Sequence, residues 1–166
     1  EAVQGATRTL AVQGPEGRRQ VAVKIPAGVN DGARIRLRGQ GQPGSQGGTA
    51  GDLYVKVHAG SHPLFSRSGR DLKVRVPISF TEAALGANVT VPTLDGKVTV
   101  RVPPGTSSGR TFRVKGKGVA TAKGTGDLLV TVEIVVPEDM SPEARSLLEQ
   151  LRRAEAGHNP RAHLGV

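Results

Sequence analysis

The side chains that could carry acid–base or metal chemistry in this chain are four scattered histidines. They are His58, His62, His158 and His163, and the chain contains no cysteine. Catalytic and zinc sites have recognisable spacings such as His-Glu-x-x-His or Gly-x-Ser-x-Gly, and neither occurs here. His62 precedes Pro63, which is typical of a turn. We therefore expect a protein that is not an enzyme and that binds no metal and no cofactor.

Two Gly-x-Gly pairs could suggest phosphate-binding loops. They are Gly39 with Gly41 and Gly116 with Gly118. A phosphate-binding loop leads into a helix whose amino end faces the anion, and neither pair is followed by a helical pattern. We interpret these glycines as positions that need a positive φ or a close backbone contact.

Positive charge is the strongest chemical signal. The 166 residues include 23 Lys and Arg against 14 Asp and Glu, a formal charge of +9, which indicates an acidic partner or an anionic surface. Arg34, Arg36 and Arg38 alternate, as do Lys73 and Arg75, so each set lies on one face of a strand. Such a face is either simply solvated or binds an acidic partner. Aromatic residues make up only 2% of the chain, which weakens the case for single-stranded nucleic acid.

The elements that carry these residues occur twice. Each copy has an alternating apolar strand, a Pro-x-Gly, a turn that closes on glycine, a second strand and a Gly-x-Gly. Three blocks recur in order, namely residues 1–6 with 82–87, 23–41 with 100–118 and 51–57 with 126–132. The copies start 81, 77 and 75 residues apart, so the loops of the second copy are shorter.

The repeat predicts tandem domains that are mainly β. Val, Leu, Ile, 23 glycines and 11 prolines favour short strands and many turns. We predict a first domain at residues 1–66, a second at 67–137, a helical segment at 138–156 and a disordered tail at 157–166. No apolar run approaches the ~18 residues of a membrane helix. Without cysteine or a signal peptide, a cytoplasmic location is expected.

Alternation of apolar residues predicts the individual strands. They cover residues 7–13, 20–25, 33–38, 52–59, 71–80, 87–91, 97–102, 111–115 and 127–136. Phe80 and Phe112 are predicted to face the core, and Thr81 is predicted to cap a short helical turn at 82–85. Residues 14–17 form a turn, 40–51 a flexible loop and 60–69 the junction, where Leu64 and Phe65 should pack against a domain. The strand at 71–80 has no counterpart before Glu1, so the first domain should have an unpaired sheet edge.

One helix is predicted near the end of the chain. Ser141 is a good N-cap, Pro142 suits the first helical position and Glu143 favours the positive helix end. Its apolar stripe consists of Leu147, Leu148 and Leu151. The stripe is compatible with packing onto its own domain and with pairing to a second copy of the chain.

Several stretches resemble the C-terminal, substrate-binding region of DnaJ-type co-chaperones of the heat-shock 40 family. They are Val-Lys-Ile-Pro-Ala-Gly, Gly-Asp-Leu-Tyr-Val, Ser-His-Pro-Leu-Phe, Glu-Ala-Ala-Leu-Gly-Ala, Val-Pro-Pro-Gly-Thr and Lys-Gly-Lys-Gly-Val. They occur in the family's order between residue 1 and residue 152, which makes the resemblance specific.

The resemblance implies two tandem antiparallel β-sandwich-like domains, a C-terminal amphipathic helix for homodimerisation, and a chaperone function. The first domain would hold unfolded client polypeptides and pass them to a DnaK-type heat-shock chaperone. By the family's pattern, the client groove is lined by Leu10, Val12 and Val55. Arg8 and Arg18 are basic neighbours that can receive the acidic tail of the partner chaperone.

Two departures from the family's pattern bear on which class of member the chain resembles. The zinc module that many members insert near Val12 to Arg19 is absent, so the chain resembles either the zinc-less class or a member from which that module was removed. The J domain with its His-Pro-Asp motif is also absent, so the chain should bind clients without stimulating ATP hydrolysis. One zinc-less branch is named for binding curved DNA, which makes DNA binding the alternative function.

Overall fold

The computed structural model describes residues 2–14, 17–42, 44, 48, 50–60 and 62–166. Parts of three predictions lie outside these residues, namely the turn at 14–17, the loop at 40–51 and the junction at 60–69. Contacts divide the chain into two compact units, Glu1–Ile134 and Val135–Val166. No helix among the described residues is long and apolar enough to cross a membrane.

The chain is mainly β with antiparallel sheets, as predicted. The strands are β1 (Ala6–Gly14), β2 (Gly17–Ile25), β3 (Arg34–Leu37), β4 (Leu53–Lys56), β5 (Phe65–Ser68), β6 (Asp71–Ser79), β7 (Ala87–Thr93), β8 (Gly96–Val102), β9 (Thr111–Val114), β10 (Ala120–Thr121), β11 (Gly124–Thr125) and β12 (Leu128–Val135). The α-helices are α1 (Phe80–Leu85) and α2 (Pro142–Ala154). All nine predicted strands are present, and their ends differ by at most a few residues.

The sheets follow the repeat. In the first copy, β1 pairs with β2 and β3 pairs with β4. In the second copy, β7 pairs with β8, and four further strands form a sheet in the order β5-β6-β12-β9. A small hairpin joins β10 to β11. The equivalents of β3 and β4 are β9 and β12, so the second copy adds β5 and β6 to this sheet.

The main core lies in the second copy. Alternation along β6 buries one face, while Lys73 and Arg75 on the other face are exposed. The buried face consists of Leu72, Val74, Val76 and Ile78, which pack with residues of β7, β8 and β12. Burying each such side chain stabilises the fold by roughly 1.5–3 kcal/mol. In the first copy, Val21, Val23 and Val57 are buried.

The Gly-x-Gly pairs are structural, as interpreted from the sequence. Gly39 and Gly116 have positive φ angles of 69° and 74°. At Gly41 and Gly118 a Cβ atom would lie 2.6 Å and 2.5 Å from backbone atoms, so only glycine fits. Gly39 and Gly116 are needed for a turn, and Gly41 and Gly118 for a close backbone approach.

The sequence prediction was wrong at the end of β6. Phe80 is 46% exposed and does not face the core, because it begins α1. The N-cap is Ser79 and not Thr81: the Ser79 hydroxyl accepts the Glu82 N–H at 3.1 Å, and the Glu82 carboxylate accepts the Ser79 N–H at 2.9 Å. This capping box ends the strand one residue early. Phe112 is half-buried against the core, in agreement with its prediction.

The junction contains a strand that the sequence pattern did not reveal. Phe65, the first residue of β5, is buried as expected, whereas Leu64 is 57% exposed. His62 precedes a bend at Pro63 and Leu64, and its Nδ1 accepts the N–H of Leu64 at 3.0 Å. Turn-forming residues on both sides concealed the four-residue strand.

Arg67 on β5 joins the two copies. Its guanidinium donates to the carbonyls of Gly28 at 2.6 Å and Val29 at 2.8 Å. The Gly28 backbone also approaches β10 so closely that a Cβ atom would lie 2.3 Å from the Ala120 carbonyl oxygen. We call these contacts the Arg67 clasp.

Helix α2 begins where the sequence predicts. The Ser141 hydroxyl accepts the Ala144 N–H at 3.1 Å and Pro142 is in the first turn. Within this unit Leu147 is 57% and Leu148 44% exposed, and Leu151 is half-buried. The tail contains a 3-10 helix at Ala162–Leu164, and its disorder stays a prediction.

Candidate functional site

The outer edge of β1 is the main candidate for binding another chain. Among the described residues, only β2 pairs with β1, so the opposite edge presents N–H and C=O groups without a neighbouring strand. Such an edge is a template for an added strand. In the described part of the second copy β7 likewise pairs only with β8, so this open edge is common to both hairpins. The strand whose counterpart the sequence misses, β6, lies beside β12, the equivalent of β4, so the predicted unpaired edge stays a prediction.

Two side chains on β1 make this edge apolar. Leu10 and Val12 alternate with exposed Thr9 and Ala11, and both are only half-buried. In the second copy the equivalent positions are 81 residues later, at Val91 and Thr93, whose exposures are 0% and 9%. These two closed positions of the second copy are thus partly open in the first.

Val55 belongs to another sheet of the first copy. It lies on β4 opposite Ile35 and is half-buried. The structure therefore places Leu10 and Val12 together on one strand and Val55 on a second. A groove lined by all three side chains stays a prediction.

The two basic neighbours lie on the β1–β2 hairpin. Arg8 is exposed on β1, at the position of the partly buried Val89 in the second copy, and Arg18 is exposed opposite Gln13. Sequence reasoning did not single out Arg19, whose guanidinium donates to the Gly41 carbonyl at 3.1 Å. No sequence motif could have identified it, because its partner lies 22 residues away.

The β1–β2 hairpin is longer than its counterpart. Nine residue pairs run from Ala6 with Ile25 to Gly14 with Gly17, whereas β7 and β8 share seven pairs. The extra pairs account for the change in offset from 81 to 77 residues. They extend the candidate edge by roughly 7 Å at 3.4 Å per residue.

A cleft of about 910 Å³ opens beside the start of β1. Arg8 lines it, and His58 and His62 also contribute to its wall. The apolar lining comes from both copies and includes Ala6, Ile25, Val57, Phe65 and Leu72. The sequence did not reveal this cleft because its residues are far apart in the chain.

An aspartate fixes the end of one strand in each copy. Asp52 accepts the Gly39 N–H at 3.1 Å and the Arg36 Nε–H at 2.5 Å. Asp127 accepts the Gly116 N–H at 3.0 Å and an Arg113 N–H at 2.6 Å. We call each arrangement an aspartate latch.

Both latches lower the pKa of their aspartate. The Gly39 N–H, followed by the Arg36 guanidinium, lowers the pKa of Asp52 below its ordinary value. The Arg113 guanidinium, followed by the Gly116 N–H, lowers the pKa of Asp127. These donors stabilise the ionised carboxylates, so the latches hold the strand ends and are not poised for proton transfer.

No cluster of three or more metal-binding side chains occurs among the described residues. The candidate site offers backbone hydrogen bonds, apolar side chains and positive charge.

Comparison with known proteins gives one consistent result. Residues 1–137 match the family model described as the DnaJ C terminal domain. The chain is 59% identical over 148 residues to chaperone protein DnaJ 1 of Streptomyces avermitilis, covering 88% of this chain and 37% of that protein. It is 54% identical over 147 residues to chaperone protein DnaJ 2 of Mycolicibacterium paratuberculosis, covering 87% and 38%. The chain thus spans less than two fifths of the length of these relatives.

Proposed function

The chain belongs to the DnaJ C-terminal domain family, and we propose that it binds extended segments of unfolded client polypeptides along the outer edge of β1. The observation that carries this proposal is the edge itself. It combines unpaired backbone groups with the half-exposed Leu10 and Val12. An added strand gains affinity from backbone hydrogen bonds, which every sequence offers, and selectivity from alternate side chains. A protein that holds many different clients needs this property.

The remaining site residues have supporting roles. Val55 extends the apolar surface from β4, while Arg8 and Arg18 attract acidic residues, including those of a partner chaperone's tail. Because both arginines are exposed, their contribution is mainly long-range attraction, which salt weakens.

The names of the relatives support a proposal for the wider assembly. The relatives are named chaperone proteins, and we infer that clients bound here pass to a DnaK-type chaperone in the cytoplasm. In this proposal residues 1–66 and 67–137 act as tandem domains. Helix α2 pairs with its twin in a second chain through Leu147, Leu148 and Leu151, since Leu147 is 57% and Leu148 44% exposed within their own unit.

Replacing the apolar pair on β1 tests the client site. The double variant Leu10→Ser, Val12→Ser should bind a labelled unfolded polypeptide about tenfold more weakly, because apolar contact worth roughly 1.4 kcal/mol is lost. It should also lose suppression of aggregation. Binding is measured by fluorescence anisotropy and folding by circular dichroism.

The matched control is Thr9→Ser, Ala11→Ser, which changes the exposed face of the same strand. A folded Leu10→Ser, Val12→Ser protein with unchanged affinity contradicts the site assignment. Titration of duplex DNA at two salt concentrations addresses the alternative function. DNA binding without client binding would replace the proposal.

A further inference from the structure

The outer face of the β3–β4 sheet carries an unusual pair of like charges. Arg34 on β3 lies directly opposite Lys56 on β4, and Arg36 lies opposite Tyr54. All four side chains are exposed, because the alternate residues of both strands face inward. Directly opposed side chains have Cβ atoms about 4.5–5.5 Å apart, and like charges at this distance destabilise a sheet.

Nothing described on this face neutralises the pair. The ion pair found there joins Arg36 to Asp52, and that carboxylate is already held in the aspartate latch. Neither Arg34 nor Lys56 forms an ion pair with a described carboxylate. The repulsion between Arg34 and Lys56 is therefore uncompensated within the described chain.

The fold does not require this repulsion. In the second copy the same pair of positions is occupied by Thr111 and Thr131, whose hydroxyl groups hydrogen-bond at 2.9 Å. The repeat thus contains a stable solution for this position, and the first copy departs from it. A departure that lowers stability is expected where a surface binds a partner.

We propose that the outer face of β3–β4 is a docking surface for an acidic, extended polypeptide segment. Arg34 and Arg36 are two residues apart and therefore lie about 6.8 Å apart along the strand, which matches alternate side chains of an extended peptide. Lys56 widens the positive surface across the sheet, and Tyr54, 60% exposed, provides apolar contact.

The charge distribution of the chain supports an acidic partner. Residues 1–134 contain 19 basic and 9 acidic residues, a net charge of +10. Residues 135–166 contain 4 basic and 5 acidic residues, a net charge of −1. The positive field is thus concentrated on the unit that carries this face, where it speeds encounter with anions.

A polypeptide fits this face better than nucleic acid. Single-stranded nucleic acid uses several aromatic side chains as stacking platforms, and Tyr54 is the one aromatic residue on β3 and β4. The surface is also distinct from the β1 edge, because it acts through exposed charges and not through unpaired backbone groups.

The double variant Arg34→Thr, Lys56→Thr tests the proposal by installing the threonine pair of the second copy. The probe is a labelled peptide that alternates Glu and Ser, measured by fluorescence anisotropy at low salt. Two exposed charge contacts are lost, so affinity should fall about three- to tenfold. The melting temperature should rise by about 1–4 °C because the repulsion is removed.

The matched control is Lys97→Thr, Arg101→Thr, which removes the same charge from exposed positions of β8. It should retain most of the affinity. Equal loss in both variants, or no loss in the first, overturns the proposal. It is also overturned if Arg34→Thr, Lys56→Thr weakens binding of single-stranded or duplex DNA while the peptide does not bind. Peptide-induced amide shifts in the unsubstituted protein, expected at Arg34 and Lys56, test the surface independently of the variants, and their absence would overturn it.

Discussion

Both copies of the repeat hold a strand end with an aspartate latch, yet the sheets that carry the two latches differ in their number of strands. In the second copy, β5 and β6 extend the sheet and close the core over Val91. In the first copy, β3 and β4 form a two-stranded sheet, and Leu10 stays half-exposed. The aspartate latches are therefore scaffold, and the binding surfaces we propose lie at described positions where the residues of the two copies differ, such as Leu10 and Arg34.

The strongest test of the difference between the two copies is to add a single methyl group at equivalent glycines. Gly126→Ala would place a Cβ atom 2.0 Å from the Arg70 carbonyl oxygen, whereas in Gly51→Ala the nearest atom of a described residue is 3.9 Å away. We expect a loss of roughly 3 kcal/mol in the free energy of unfolding for Gly126→Ala. Gly51→Ala should change it by less than about 0.5 kcal/mol.

Urea unfolding of both variants measures this difference. Equal destabilisation would mean that the backbone around Gly51 is as tightly packed as that around Gly126, and the contrast between an open first copy and a closed second copy would be lost.

Breaking the Arg67 clasp should separate the two copies. Arg67→Met keeps the aliphatic stem but removes the donors to Gly28 and Val29, which should cost about 1–3 kcal/mol. The first copy should then exchange its amide hydrogens faster, while the core around Ile78 stays protected. Hydrogen exchange resolved along the chain tests this. Uniformly faster exchange in both copies would show that the clasp is not what couples them.

Acid should affect the two copies in the same way, because both have a latch. Asp52 and Asp127 have pKa values below the ordinary 3.8, so the folded state favours their ionised forms. Their contribution to stability is present above that ordinary value and is lost as the pH falls through the lower, folded-state pKa.

Asp52→Asn and Asp127→Asn should each flatten the decline in stability below about pH 4. Denaturant unfolding between about pH 2.5 and 7, a range that spans ordinary carboxylate pKa values, measures the pH dependence of stability. The unsubstituted protein is the reference. An unchanged acid profile in either variant would show that the corresponding latch contributes nothing.

The strands of the scaffold could be predicted from sequence because their apolar residues alternate. Phe80 was misassigned, since it continues the alternation of β6 and only the Ser79–Glu82 capping box ends the strand. The strands β10 and β11 have two residues each, too few to show a period, and turn-forming residues on both sides concealed β5.

The candidate site was predictable only in part. The repeat predicted an unpaired edge in the first copy, and the family resemblance named the side chains of the proposed groove, which stays a prediction. The Arg67 clasp depends on a tertiary contact, and the opposition of Arg34 to Lys56 depends on strand register. Neither is specified by the residue pattern of a single strand.

The longer β1–β2 hairpin indicates where this fold can accept inserted residues. Both of its strands lengthen by two residues relative to β7 and β8, so the register and the inward face are unchanged. A one-residue slip would instead exchange the two faces. We therefore expect that sequence grafted between Gly14 and Gly17 leaves the paired strands below undisturbed, so a domain, a label or a new binding loop can be appended there.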